Sequence, residues 1–483
     1  MLFNSYEFIL IFLPITFIVY FALHYAKKDT LAKIWLVGAS LFFYSFWNIR
    51  YLPLILVSTL VNFIVGTYLA NSESQTVKKR KSILAIGVIF NVALLGYYKY
   101  TDFFLSTINT LFDQNLGLLH LALPLAISFF TFEQIIYLVD SYRGETKEYD
   151  LLDYSLFVTF FPKLIAGPIV FHNEMIPQFK SDEKKAINWQ NISLGLFIFG
   201  VGLFKKVMIA DTFSIWANNG YNHAFDLNFV ESWITSLSYT FQLYFDFSGY
   251  CDMATGAALL LNINLHINFN SPYKALNIQD FWRRWHITLG RFLTRYLYFP
   301  LGGNRKGRMR TYINIMIIFL VSGFWHGAGW TFIFWGFLHG VASVIYRWWK
   351  ERGYKMPKFL AWFITFQFVN MAWVFFRAEN FAQALAVLQS MVGINSLELP
   401  TRLARVVEPI LHVNLMPDGP WLFTYSSVLL IVIALVVVVF RKNSFEMMEF
   451  FKPNTYHLTF MLIITIVSIL QLGKVSEFLY FNF

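Results

Sequence analysis

The chain has 483 residues, of which 57% are hydrophobic and only 14% charged, with a formal net charge of +10. Soluble domains carry about 25% charged residues, so the composition excludes an ordinary soluble enzyme. It also turns the basic excess away from nucleic acid and toward the flanks of membrane segments, where Lys and Arg mark the loops kept in the cytoplasm.

Apolar stretches of about twenty residues, each long enough to span the hydrocarbon layer, recur along the whole chain. The first runs from Phe8 to Ala26 and is followed by Lys27 and Lys28 without a small-residue cleavage site. It therefore reads as a retained helix and not a signal peptide. The prediction is an all-α, polytopic helical membrane protein with about eleven or twelve membrane helices plus re-entrant segments.

Charge bias sets the expected orientation. Lys27, Lys28 and Lys33 follow the first span, and Lys78, Lys79, Arg80 and Lys81 follow the third. Both loops are expected in the cytoplasm, which starts the N-terminus outside. Near the other end, Trp421 to Phe440 runs into Arg441 and Lys442, and one more span, His457 to Leu472, carries the tail outward. Both termini then face the extracytoplasmic side, which requires an even number of crossings. With no internal repeat or low-complexity linker, residues 1–483 read as one integral domain ending in a short extracytoplasmic tail, 473–483.

The middle is less regular. Phe161 to Pro168 places two prolines and a glycine in an apolar region. Non-helical backbone at membrane depth is tolerated only where protein or a cavity surrounds it, so a re-entrant segment is predicted. Lys180 to Lys185 reads as a solvated loop and nothing more. Asp246 and Asp252 lie six apart in apolar sequence. Each is costly to bury alone, and arginine or hydroxyl partners are expected. Cys251 is the single cysteine, which rules out an internal disulfide framework and a zinc site built from several thiolates. In that apolar stretch it reads as a small core residue.

A basic block follows, with seven arginines and one lysine between Arg283 and Arg310. On one helix, Arg284, Arg291 and Arg295 would share a broad face, with Phe281, Trp282, Trp285, Phe292, Tyr296 and Tyr298 between them. Such a mixture suits an amphipathic helix at the membrane surface, ended by the turn Pro300 to Arg305. Guanidinium groups bind phosphate in bidentate fashion. Arg283, Arg284, Arg291, Arg295 and Arg305 are therefore candidates for holding a phosphate-bearing cytoplasmic ligand, besides anchoring the helix.

Beyond the block, the run Gly323 to Trp330 carries His326 between two apolar segments. Arg347, Lys350, Arg352 and Lys355 beyond it are again cytoplasmic, so the intervening chain should form a hairpin with His326 at its tip. Ionisable groups within membrane segments usually serve a pathway or a reaction, although one ring hydrogen bond to a carbonyl would also satisfy the imidazole. His286, at the mouth of the basic block, is placed to orient His326 or a ligand. His339 reads as a packing histidine.

Five ordered motifs carry a resemblance. They are Tyr244 to Asp252, Asn270 to Tyr273, Phe281 to Leu289, Tyr296 to Arg305, and Phe324 to Gly327. Together they resemble the membrane-bound O-acyltransferase (MBOAT) family, and most closely its bacterial branch of alginate and peptidoglycan O-acetyltransferases. The resemblance implies an MBOAT-like fold, with His326 as the family's catalytic histidine and His286 as its second motif histidine. Asp246, Asp252 and Trp325 become supporting residues. It also implies acetyl-CoA as a donor arriving from the cytoplasm, with no tightly bound cofactor or metal, and an acceptor on the far side.

The tail, Phe478 to Phe483, reads from composition as an aromatic anchor at the membrane interface. It is similar to the C-terminal aromatic motif of polysaccharide O-acetylation proteins. By that resemblance Tyr480 would accept the acyl group and hand it to a partner.

The expected function is therefore a membrane O-acetyltransferase in the bacterial inner membrane, moving acetyl across it to O-acetylate an extracytoplasmic polysaccharide such as alginate or peptidoglycan. A separate extracytoplasmic O-acetyltransferase would complete the transfer. The lipid bilayer is its setting, and nucleic acid is not a partner. Two alternatives remain: a D-alanyl transferase of the teichoic-acid type fed by a carrier protein, and a non-enzymatic transporter using the same polar residues.

Overall fold

The computed structural model describes residues 1–71, 75–146, 149–394, 398–399, 414–415, 424–473 and 479. It is all-helical apart from a two-residue parallel pairing of Glu398–Leu399 with Asn414–Leu415. Among the described residues five helices are long and apolar enough to cross a membrane: Glu7–Tyr25, Ile49–Ala70, Val77–Phe112, Trp189–Asn222 and Lys358–Arg377. Shorter apolar helices, Phe381–Met391, Tyr425–Phe440 and Thr455–Leu470, add to them. Two compact units account for the chain.

The first unit comprises Met1–Phe204, Tyr250–Asn268 and Phe450–Val475. Its helices are α1 (Leu13–Tyr25), α2 (Asp29–Ser45), α3 (Leu52–Ala70), α4 (Val77–Phe112), α5 (Ile127–Tyr142), α6 (Leu151–Thr159), α7 (Phe161–Leu164), α8 (His172–Lys180) and α9 (Trp189–Phe204), with Thr455–Leu470 packed on α9. Pro14 and Pro53 stand in the first turns of α1 and α3, directly after a π-turn (Glu7–Phe12) and a 3₁₀ turn (Ile49–Tyr51), where the hydrogen-bond register of the helix changes.

Helices in lipid gain little from hydrophobic association, so small residues and side-chain amides hold them together. Here Asn62 on α3 donates to Gln134 on α5 at 2.7 Å, Asn91 on α4 donates to Asn62 at 2.6 Å, and Ser58 donates to Gln134 at 2.7 Å.

The irregular segment predicted at Phe161 to Pro168 is wholly buried. The Phe161 N–H reaches Ser40 Oγ on α2 at 3.1 Å, so the broken backbone finds a protein partner, as burial demands. Lys163 pairs with Glu133 of α5 inside the unit. At Gly167 a Cβ would sit 2.5 Å from the Lys163 Cα, so only glycine permits that turn.

The stretch Lys180 to Lys185 is more than a solvated loop. Lys180 lies 2.9 Å from Asp153, and Lys185 lies 2.6 Å from Asp29 and 2.5 Å from Asp182. Asp182 is a local partner, but Asp153 and Asp29 lie at the starts of distant helices, pairings that local sequence does not reveal.

The second unit comprises Lys205–Gly249, Phe269–Glu449 and Ser476–Phe483. It opens with a π-helical turn, Lys205–Ala210, then α10 (Asp211–Asn222) and the 229–249 part of α11 (Phe229–Leu260). There follow α12 (Ile278–Arg284), α13 (Ile287–Leu293), α14 (Arg308–His326), α15 (Trp330–Glu351), α16 (Lys358–Arg377), α17 (Phe381–Met391), α18 (Tyr425–Phe440) and α19 (Ser444–Glu449).

Helices α14 and α15 form the predicted hairpin. A Cβ on Gly336 would lie 2.3 Å from the Phe319 carbonyl oxygen, one on Gly323 2.4 Å from the Phe332 oxygen, and one on Gly340 2.8 Å from Met316 Sδ. Glycines along this seam let the two backbones approach, as small residues do between membrane helices.

Candidate active site

The basic block does not form one helix. Helix α12 stops at Arg284, Trp285 is extended, and His286 adopts a left-handed conformation, φ +45° and ψ 53°, before α13 begins. Arg284 therefore shares no helix with Arg291, which lies in α13, or with Arg295, which lies in the π-turn Thr294–Tyr298.

The cause lies in tertiary packing. The Trp285 ring sits among Tyr244, Phe269, Tyr273, Phe281 and Trp373, with ring centroids 5.0–6.3 Å apart. Arg284 returns to Asp280 at 2.9 Å, and its carbonyl accepts from Asn270 N at 2.9 Å. A non-glycine residue at positive φ is uncommon, and such strain clusters at functional sites.

His286 and His326 come together within the second unit. His326 is the last residue of α14, and Gly327 and Gly329 turn the chain into α15 through extended backbone. A Cβ on Gly327 would meet the Phe332 ring at 2.2 Å, so the turn closes tightly over the histidine. The two imidazole centroids are 6.3 Å apart, and both side chains are buried.

Aromatic rings form the walls. Trp325, Trp335 and Phe376 border His326 at 4.8, 5.3 and 5.3 Å, edge-on. Phe247 of α11 lies edge-on to His286 at 4.9 Å, and Trp325 lies 6.1 Å from it. Trp325 thus touches both imidazoles.

His339 does more than fill space. Its Nδ1 accepts from the Trp282 indole at 3.3 Å, and its ring lies 4.9 Å from Trp335. It stands behind the wall that faces His326, a role invisible in sequence because the indole partner comes from α12.

The arginines divide. Arg284 is committed to Asp280 and to the Asn270 carbonyl. Arg295 lies over the Tyr296 ring at 5.6 Å, and Arg291 is half-buried. Arg283 and Arg305 are exposed, as are Lys306, Arg308 and Arg310. The turn bearing Arg305 uses Gly302 and Gly303 at positive φ, and buried Asn314 of α14 donates to the Gly303 carbonyl at 2.9 Å. Sequence reasoning passed over Asn314, and also Asn370, which accepts from Ser236 and Thr240 at 3.0 and 2.7 Å. Neither carries a motif signal.

Asp246 is buried as expected, but its partner is a lysine: Lys206 Nζ lies 2.8 Å from Asp246 Oδ1. Asp252 belongs to the first unit. Tyr480 lies outside the described residues. Among those described, no three His, Cys, Asp or Glu side chains gather to hold a metal ion.

Comparison with known proteins gives this geometry a class. Residues 40–382 match MBOAT, the membrane-bound O-acyltransferase family. The chain is 48% identical to a peptidoglycan O-acetyltransferase of Helicobacter pylori, over 100% of this chain and 98% of that protein. It is 37% identical to a probable alginate O-acetylase of Pseudomonas aeruginosa, over 83% of this chain and 76% of that one. A teichoic acid D-alanyltransferase of Bacillus subtilis is 28% identical over 53% of this chain and 69% of its own length.

A helical membrane protein with these relatives is an acyltransferase. The chain belongs to the membrane-bound O-acyltransferase family.

Proposed function

We propose that the protein moves acetyl from cytoplasmic acetyl-CoA through the membrane to O-acetylate an extracytoplasmic polysaccharide, with peptidoglycan the favoured acceptor. The observation that carries this reading is the buried His326–His286 pair at the hairpin tip. Identity along the whole chain to a peptidoglycan O-acetyltransferase supports the acceptor, and the lower identity and coverage to the alginate protein rank that polymer second.

Exposed Arg283, Arg305, Lys306 and Arg308 suit the phosphates of coenzyme A, since guanidinium binds phosphate in bidentate fashion. A bacterial inner membrane supplies both the cytoplasmic donor and the far-side acceptor.

The chemistry is a pair of acyl transfers. His326, as a neutral imidazole, takes the proton from the Tyr480 phenol as its oxygen attacks the thioester carbonyl. The C–S bond breaks, and the coenzyme A thiolate leaves with a proton from His326. The products are acetyl-Tyr480 and free coenzyme A. A partner O-acetyltransferase then passes acetyl to a polysaccharide hydroxyl and regenerates the phenol. His286 and Trp325 orient His326.

The test is purified protein incubated with radiolabelled acetyl-CoA, followed by mass spectrometry of the C-terminal peptide. The reading expects acetyl on Tyr480 in the native chain and none after His326→Ala. Release of coenzyme A without label on Tyr480 would keep the transferase and remove the relay. Inertness toward acetyl-CoA, with acyl transfer from a D-alanyl carrier protein, would replace the reading with the teichoic-acid type.

A further inference from the structure

A buried acid joins the C-terminal tail to the body of the second unit. Asp246, 1% exposed, sits mid-way along α11. Its Oδ2 accepts the backbone N–H of Leu479 at 3.1 Å, across 233 residues of sequence. Its Oδ1 lies 2.8 Å from Lys206 Nζ, which also lies 2.7 Å from Asp211 Oδ1.

Both oxygens of the buried Asp246 carboxylate meet donors, Oδ1 the Lys206 ammonium and Oδ2 the Leu479 amide. A buried carboxylate without such donors is expensive. The Leu479 amide supplies one, and the Leu479 side chain is buried with it. Lys206 arises from the π-turn Lys205–Ala210, a form that recurs at functional sites. Its other lysine, Lys205, donates to Ser444 Oγ at 2.8 Å.

We propose that Asp246, held by Lys206, is a positioning residue: it docks the C-terminal segment by the backbone of Leu479, one residue before the acyl-accepting Tyr480. This rests on the relay reading above. Consecutive Cα atoms are 3.8 Å apart, so an anchor at residue 479 limits how far residue 480 can travel. Such an anchor shortens the search that must precede attack. The bond is to backbone, so the docking depends on an N–H at position 479 and not on the identity of that side chain.

Three variants separate docking from simple charge neutralisation. Leu479→Pro deletes the N–H and leaves Asp246 and Lys206 paired; Leu479→Met keeps it. Asp246→Ala with Lys206→Met removes the dock together with its lysine, and takes that lysine from the partly exposed Asp211 as well. Each full-length protein is measured for acetylation of Tyr480 from labelled acetyl-CoA, and for release of C-terminal residues by a carboxypeptidase.

The expected result is a Tyr480 labelling kcat at least tenfold lower for Leu479→Pro than for Leu479→Met, with KM for acetyl-CoA unmoved. Carboxypeptidase release should halt near Leu479 in the native chain and run past it in Leu479→Pro and in the double variant. Equal labelling and equal protection across all variants would overturn the proposal. Native protein that never labels Tyr480, yet shows protection dependent on Asp246, would remove the relay and leave the tail docked for some other purpose. That outcome would overturn the positioning role.

Discussion

The buried histidines of the two units sit in different settings. In the first, Glu133 meets Lys163, and His172 is clamped between Asp140 at 3.1 Å and the Tyr149 hydroxyl at 3.0 Å. In the second, His326 and His286 stand against aromatic rings. A clamped imidazole has its tautomer and orientation fixed by its partners. One walled by rings is positioned by packing and backbone. On the proposed mechanism the first set serves the scaffold and the second the chemistry.

The largest expected effect breaks the chemical side. His326→Ala should lower acyl transfer from acetyl-CoA by about 10³-fold, within the range of a lost general base, while membrane insertion and thermal unfolding stay close to native. Activity within tenfold of native, read by coenzyme A release, would contradict the assignment.

The mirror experiment falls on the scaffold side. His172→Leu removes the partner of Asp140 Oδ2 while Arg143 keeps Oδ1 at 3.2 Å, and should destabilise the protein by about 1–3 kcal/mol, the cost of a buried acceptor that loses its donor. The molecules that remain folded should keep their turnover. Thermal unfolding in detergent, with activity corrected for folded fraction, reads both quantities.

His286→Asn sharpens the contrast. Asparagine tolerates the left-handed conformation at this joint, so the break between α12 and α13 should persist. Transfer should nonetheless fall by about ten- to a hundredfold, because an orienting imidazole is gone. Native kinetics with native stability would make His286 a mere hinge.

Arg305→Ala should raise KM for acetyl-CoA by about threefold to tenfold, as loss of a charge-assisted phosphate contact implies. The effect should shrink as salt rises. A kcat change without a KM change would move Arg305 out of donor binding.

The smallest effect is electrostatic. Asp29 at the start of α2 accepts from Lys185 at 2.6 Å and lies 2.8 Å from His24 Nδ1. Its hydrogen bonds to Lys185 and then to His24 hold its carboxyl below the ordinary carboxylate range. A depressed folded value means the pair stabilises the native state above that ordinary range, and the contribution fades as pH falls through the folded value. Asp29→Asn should cost well under about 1 kcal/mol at neutral pH, since Asp29 is 40% exposed and surface pairs contribute little. The difference from native should vanish in acid.

Much of the site was legible because it is local. Gly323, Gly327 and Gly329 around an apolar histidine announced the hairpin, and α14 and α15 close there. The break in the basic block was not legible. No glycine or proline stands at Trp285 or His286; the kink follows from an aromatic nest assembled by residues such as Tyr244 and Trp373. The same holds for Asn314 under the Arg305 turn, and for Lys206 opposite Asp246, where local sequence had suggested arginine or hydroxyl partners. Asn314 stands 11 residues from Gly303 and Lys206 lies on a different helical segment from Asp246, and nothing in the local pattern selects one from the other.

The most direct test of the division between the units is acetyl-CoA cleavage by purified His326→Ala and His172→Leu proteins, each normalised to its folded fraction. The account predicts cleavage lost with His326 and retained with His172. Cleavage lost with His172 and retained with His326 would reverse the assignment and move the chemistry to the clamped histidine of the first unit.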